Sequence, residues 1–288
     1  MKKLFLFLVI ILFCGSSFAQ GLTPFKLYQY DLKIINPAFV GIKNGHQFSS
    51  FVKSGVGESS YQPTSLLFSY ETQIPGINSG IGVMFQNHSM QNWNKRDWRL
   101  SYNYQLNFNK AGNLTIGMNL DQRNDKIESD HSSSMMGNPN LGGLSYSNTN
   151  IDLGLVYHHN SFYGGITFNN ILNRRKTNDE KAIWGQANQS IYTILGSQLQ
   201  VNNWLRIKPS ILYLKSSSWD IFDINFTTEF KGIFIAGFTH RIQDDSDIFS
   251  VNAGINVKEK IQIVGLVHSS DTDDHTVEVS LRFRTHSN

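Results

Sequence analysis

Two clusters in this 288-residue chain carry side chains that could do chemistry. His158-His159-Asn160-Ser161 combines imidazoles, an amide and a hydroxyl, the types from which a serine nucleophile and its base are assembled. All four crowd one predicted turn, where sequence neighbours point apart, so the run reads as a solvated turn. Asp244-Asp245-Ser246-Asp247 and Asp271-Thr272-Asp273-Asp274 offer hard oxygen ligands of the kind Ca²⁺ prefers, but neither has the spacing of a known calcium loop. No Gly-x-Ser-x-Gly, His-Glu-x-x-His, phosphate loop or cysteine ligand pair occurs. The expectation is a protein that is not an enzyme and that carries no cofactor or metal.

The elements that would position such residues are strands. In residues 97–109, Trp98, Leu100, Tyr102, Tyr104, Leu106 and Phe108 alternate with Asp97, Arg99, Ser101, Asn103, Gln105, Asn107 and Asn109. Side chains of a strand point alternately to opposite faces, so one face is apolar and the other hydrophilic. A dozen residues exceed the usual globular strand of about 5–6 and match the roughly 10 needed to cross a bilayer at a tilt.

About fourteen such segments recur, near 46–54, 64–73, 81–88, 97–109, 114–124, 150–158, 161–169, 191–200, 204–214, 220–230, 232–242, 248–257, 260–269 and 275–284. The first of them, with Phe48, Phe51 and Val52, alternates least cleanly. This predicts an all-β fold, a transmembrane antiparallel up-and-down barrel of 12 to 16 strands in the outer membrane, with residues 46–288 as its body. Connections alternate in length, as periplasmic turns and outer loops do. The short ones fall at 75–78, 109–113, 159–160, 201–203, 231–232 and 258–259. The long ones fall at 55–63, 89–96, 125–149, 170–190, 215–219, 243–247 and 270–274. Tyr61, Trp93, Trp98, Phe108, Tyr163, Trp184, Trp204, Trp219, Phe230 and Phe283 fall near strand ends, where interfacial girdles sit.

Composition agrees. Residues 1–19 form a predicted signal peptide: Lys2-Lys3, an apolar run from Leu4 to Phe13, then Ser17-Phe18-Ala19 as a small-x-small cleavage site. The single cysteine, Cys14, lies within it, so the mature chain would have neither disulfides nor thiol chemistry. Without Lys2 and Lys3 the 25 basic residues become 23 against 22 acidic, near neutrality, which argues against nucleic acid as a partner. Side chains alone fill a barrel of about eight strands. A wider one leaves a lumen that residues 20–45, an N-terminal periplasmic or lumen segment, could enter or cap. The loop 170–190, with Arg174, Arg175, Lys176, Asp179, Glu180 and Lys181, is a second candidate plug.

Just before the first strand, Asn36-Pro37-Ala38-Phe39-Val40-Gly41 forms an Asn-Pro-Ala-aromatic-x-Gly motif that resembles the PorP/SprF family of type IX secretion system outer-membrane proteins of Bacteroidetes. Asn169-Asn170 after a Gly-rich strand and the ending at Arg282 and Arg284 extend the likeness along the chain. Physically, Asn36-Pro37 initiates a turn and Gly41 permits positive φ. The motif residues Asn36, Pro37, Ala38, Phe39 and Gly41 therefore turn the chain into the first strand.

The resemblance implies an adaptor or anchor for the secretion or surface attachment of a cargo protein such as an adhesin, with a link to gliding motility. It also implies contacts with other type IX components and with a periplasmic OmpA-like protein. Cargo would bind through its C-terminal domain at outer loops 125–149 and 170–190, and lipid would surround the barrel. The alternative is a diffusion porin or small-solute transporter.

Overall fold

The computed structural model describes residues 25–56, 63–108, 111–127, 144–172, 189–216, 220–243, 246–258, 260–269 and 275–285. Three short 3-10 turns, η1 (Lys26–Tyr30), η2 (Leu32–Ile34) and η3 (Pro37–Phe39), precede the sheet. The strands are β1 (His46–Val56), β2 (Thr64–Ile74), β3 (Ser79–Met90), β4 (Trp93–Asn107), β5 (Asn113–Ile127), β6 (Leu144–His159), β7 (Phe162–Asn169) and β8 (Ser190–Ser197). They continue as β9 (Leu199–Asn202), β10 (Leu205–Ser216), β11 (Asp220–Phe230), β12 (Phe234–Gln243), β13 (Ser246–Val257), β14 (Ile261–Ser269) and β15 (His275–Thr285).

Each strand pairs antiparallel with its neighbour, and β15 returns to β1 from Thr285↔His46 to His275↔Val56. β8 and β9 both pair with β10 and are two pieces of one stave, so the result is a closed barrel of fourteen strands. Their interruption at Gln198 has a cause: it lies opposite Lys208-Pro209, and proline has no N–H to give the ladder. All-round pairing leaves the spanning backbone with no open edge in lipid.

The alternation holds. Trp98, Leu100, Tyr102 and Tyr104 are exposed toward lipid while Ser101 and Asn103 are buried. Likewise Phe249 and Val251 face out against Ser250 and Asn252. Trp98, Phe108, Trp204, Phe230 and Phe283 lie on the outer surface, as a girdle requires. Two expected girdle residues face inward instead. Tyr163 meets Phe39 edge-on at 5.7 Å, and Trp93 meets the buried His88 at 5.6 Å. Both share the inward phase of their strands, and each meets another ring there. Tyr61, Trp184 and Trp219 lie outside the described residues.

The outer connections differ more. The segment 89–96 is almost entirely strand, closed by Gln91-Asn92 with Gln91 at φ 51°. Of 125–149, residues 125–127 and 144–149 are strand, and β5 and β6 run 15 and 16 residues. Strand also extends into 243–247, through Gln243 and from Ser246. Their outward positions, Asn94, Arg96, Asn124, Lys126, Ser145, Ser147 and Thr149 among them, are polar, so alternation gives no sign of them. Above Trp98 the outer wall becomes hydrophilic: Gln122 donates to Ser147 Oγ at 2.7 Å and accepts from Thr149 Oγ1 at 2.6 Å. β4, β5 and β6 therefore rise beyond the apolar band as a water-facing ledge.

Candidate functional site

Residues 25–41 touch inward faces all round the ring. At the start of η1, the Glu278 carboxylate on β15 accepts from the amides of Lys26 (3.1 Å) and Leu27 (3.0 Å). Tyr30 donates to Asn252 on β13 at 2.5 Å, and Tyr28 accepts from Asn225 on β11 at 2.8 Å. Arg99 on β4 donates to the Ile34 carbonyl at 3.2 Å while gripping Asp121 at 2.6 Å. Lys33 reaches Asp31, Ser49 and Glu71. A segment held from β2, β4, β11, β13 and β15 at once lies within the barrel, as a plug.

Its apolar side chains complete two cores. Phe25, Leu27 and Tyr30 pack with the inward Phe51, Leu67, Met84, Ile235, Val264 and Leu266. Tyr28 and Ile35 pack with Ile194 and Leu212, flanked by Phe39, Tyr163 and Tyr192. Each fully buried side chain of this size is worth about 1.5–3 kcal/mol.

The second half of the plug is the Asn36–Gly41 motif, and it does more than turn the chain. Asn36 accepts from the Ala38 amide at 2.9 Å, capping η3, with Pro37 in the first position where its missing N–H is harmless. The Asn36 Nδ2 donates to the carbonyls of Leu155 on β6 (3.3 Å) and Ile166 on β7 (3.2 Å). Asn103 on β4, fully buried, donates to Ala38 O at 3.0 Å and to Val40 O. The Gly41 amide donates to Glu71 at 2.7 Å. Gly41 has φ 58°, a conformation that only glycine adopts freely.

The wall is shaped to admit this backbone. A Cβ on Gly117 of β5 would come within 2.7 Å of Ala38 Cα, and one on Gly154 of β6 within 2.9 Å of Pro37. On Gly82 of β3 it would come within 3.0 Å of Val40 Cγ1, and on Gly165 of β7 within 3.1 Å of Asn36 Nδ2. Four strands thus present glycine where the motif passes, and the close approach is the reason.

The clusters singled out for chemistry look different. His158 and His159 take opposite phases of β6. His159 stacks parallel on Tyr157 (6.5 Å between centroids) and lies 3.0 Å from the Asn160 amide. Among the described residues no contact joins Ser161 to either ring, so a nucleophile and base are not brought together. Residues 244–245 and 271–274, which carry most of the acidic loops, lie outside the described residues, as do 173–188. Within the described residues no group of three or more His, Cys, Asp or Glu is placed to hold a metal. Sequence reading missed the wall side of the plug, whose only signal is apolar residues on both faces of one strand, as in Leu66-Leu67 and Ile263-Val264.

Compared with known proteins, the sequence matches the family described as "Type IX secretion system membrane protein PorP/SprF" over residues 17–283. None of the curated proteins matches it by sequence. Among solved structures, the toluene transporter TbuX of Ralstonia pickettii is similar at TM-score 0.59 and 8% identity, over 90% of this chain and 93% of that one. CymD, a monoaromatic hydrocarbon channel, is similar at TM-score 0.55 and 10% identity, over 94% and 95%. Omp33 of Acinetobacter baumannii gives TM-score 0.54 and 6% identity, over 85% and 100%. At these identities the likeness is one of fold: an outer-membrane, multi-pass β-barrel.

Proposed function

The chain belongs to the PorP/SprF family of type IX secretion system membrane proteins, and on that premise we propose that it is a plugged adaptor for a secreted cargo protein. It is a type IX outer-membrane component. The observation that carries the adaptor reading is the plug. Residues 25–41 bring two apolar cores and a set of buried polar contacts into the lumen. A barrel with such a filling is suited to holding partners at its two mouths more than to passing solutes.

The outer partner would be a cargo C-terminal domain, for instance that of an adhesin serving surface attachment or gliding. The ledge of β4, β5 and β6 offers a hydrophilic recognition surface on a rigid scaffold. The periplasmic partners would be other type IX components, an OmpA-like protein among them.

Two measurements test this. Tagged protein purified from mildly solubilised outer membranes should bring down a large secreted protein or type IX components. In planar bilayers the intact barrel should be electrically silent, whereas deletion of residues 25–41 should give conductance steps. Steady conductance from the intact protein, together with recovery of no partner, would replace the adaptor with a diffusion porin or small-solute transporter. The adaptor reading also fails if deleting the gene leaves secretion and display of every type IX cargo unchanged.

A further inference from the structure

Where the ladder breaks, the wall is thin. Ser197 of β8 stands opposite Pro209 of β10, and the two are not paired with each other. Both sit on outward phases, between Phe162 of β7 and Phe226 of β11. One step further along the strands, Gly164 has no side chain to set beside Leu195. Short residues among tall ones leave a trough of about 630 Å³ in the lipid-facing surface. Tyr157, Phe162 and Phe238, all exposed toward lipid, form its banks. Its floor includes Gly196, against which the Tyr163 ring lies so closely that a Cβ there would strike the phenol oxygen.

Ser197 adds a polar feature. It is only 6% exposed, and among the described residues its hydroxyl meets no hydrogen-bond partner. An unmade hydrogen bond in an apolar setting is costly. The trough therefore suits a ligand that is apolar along its length and carries an acceptor at one end. That end is the periplasmic one, because Ser197 faces Phe162, which opens β7 directly after the turn at Asn160-Ser161. Stacked Trp204 and Phe230, 6.2 Å apart, mark the same interface on neighbouring staves.

We propose that the trough binds one phospholipid of the periplasmic leaflet, with an acyl chain lying over Gly164 and its ester carbonyl accepting from the Ser197 hydroxyl. A free fatty acid fits less well, since its carboxylate would bring a charge to a spot that offers a neutral donor. The wall of a second barrel would bridge the banks and leave the trough void, whereas a hydrocarbon chain is slender and flexible enough to follow it. Lipid tails are as apolar as the wall, so the gain comes from close packing and the hydroxyl. Tyr163 also meets Phe39 of the plug edge-on at 5.7 Å. The lipid thus rests one side chain away from the Asn36–Gly41 motif. The site lies on the flank of the barrel and stands apart from the adaptor reading, which concerns the two mouths.

The test is native mass spectrometry of the full-length protein, freed of lipid in detergent and then given palmitoyl-oleoyl phosphatidylethanolamine at rising concentration. The first lipid should bind distinctly more tightly than those that follow. Gly164→Phe fills the trough and meets only the tip of Leu195 at short range. It should lower that first affinity about tenfold. Ser197→Ala should weaken it about fivefold. An ether-linked analogue, which lacks the ester carbonyls, should bind the native protein about fivefold more weakly. It should bind the Ser197→Ala variant no worse than the ester lipid does. Val251→Phe, on the lipid face of β13, should leave the first affinity unchanged.

Ser197→Ala removes a single oxygen, so it keeps the test meaningful should Gly164→Phe fold poorly. Equal affinity for first and later lipids, or a first affinity untouched in both variants, would mean annular lipid only and overturns the proposal. So does equal binding of ether and ester lipids by the native protein. A dimer that Gly164→Phe abolishes, with no tightly held lipid, overturns it in favour of a contact between two barrels.

Discussion

Asn36 does three jobs with one amide, and its isosteres separate them. Its Oδ1 caps η3 and its Nδ2 spans two strands. Asn36→Asp keeps the cap but loses both donors and buries a charge beside two carbonyls. It should therefore unseat the plug more than Asn36→Ala, which gives up the cap and the two donors at about 1–3 kcal/mol. Amide hydrogen exchange of residues 26–40 would rank them, and Ala more disruptive than Asp would refute the account. Lys26 offers a second test at this scale. Burial, then Arg241 and Lys53, lower its amine to about 6, against the pull of Glu278 and Asp223. The seated plug thus prefers neutral Lys26, while a released one has the ordinary value near 10.5. Seating should strengthen with rising pH between those values, weaken as pH falls toward 6, and level off below. Exchange protection, corrected for intrinsic rate, should follow that curve, and Lys26→Met should flatten it.

At the scale of elements, the glycine cradle makes a sharp prediction. Gly117→Val or Gly154→Val puts a side chain into backbone that cannot retreat, for about 1–3 kcal/mol or more. The barrel should still form, since both strands keep their ladders, but bilayer recordings should show openings that are expected to be missing from the native protein. Valine at Gly76, where nothing lies within 4 Å, serves as the control for handling, although its φ of 84° strains any side chain. The cradle also explains what was legible. Strand phase was readable wherever lipid lay on one side and water on the other, as from Trp98 to Phe108. It blurred at Phe51, which turns an apolar side chain inward to meet Phe25 at 5.7 Å. It vanished above Trp98, where both faces meet water. The motif was visible as a turn, but its grip on β6 and β7 joins residues 119 and 130 positions apart, and no local pattern carries that.

For the whole molecule, residues 25–41 fill part of the lumen of a fourteen-strand barrel and pack against its wall. Removing residues 25–41 should cost thermal stability as well as open the lumen, because Phe51, Leu67, Val264 and Leu266 would then line water. Heat-modified mobility on gels should shift at lower temperature, and an unchanged shift would mean the wall holds itself.

The clamp from Glu278 to Lys26 and Leu27 spans 252 and 251 positions of the chain. It joins nearly the first described segment to the strand that closes the ring. During biogenesis the plug is made before any stave exists and acquires its cradle only as β3, β5, β6 and β7 arrive. Its upper fastening waits for β15 alone. Closure of the seam and the last fastening of the plug thus fall on one strand, so that an intermediate without β15 would carry a filling loose at that end. Quality-control proteases would meet that loose end in every abandoned intermediate and in no completed one.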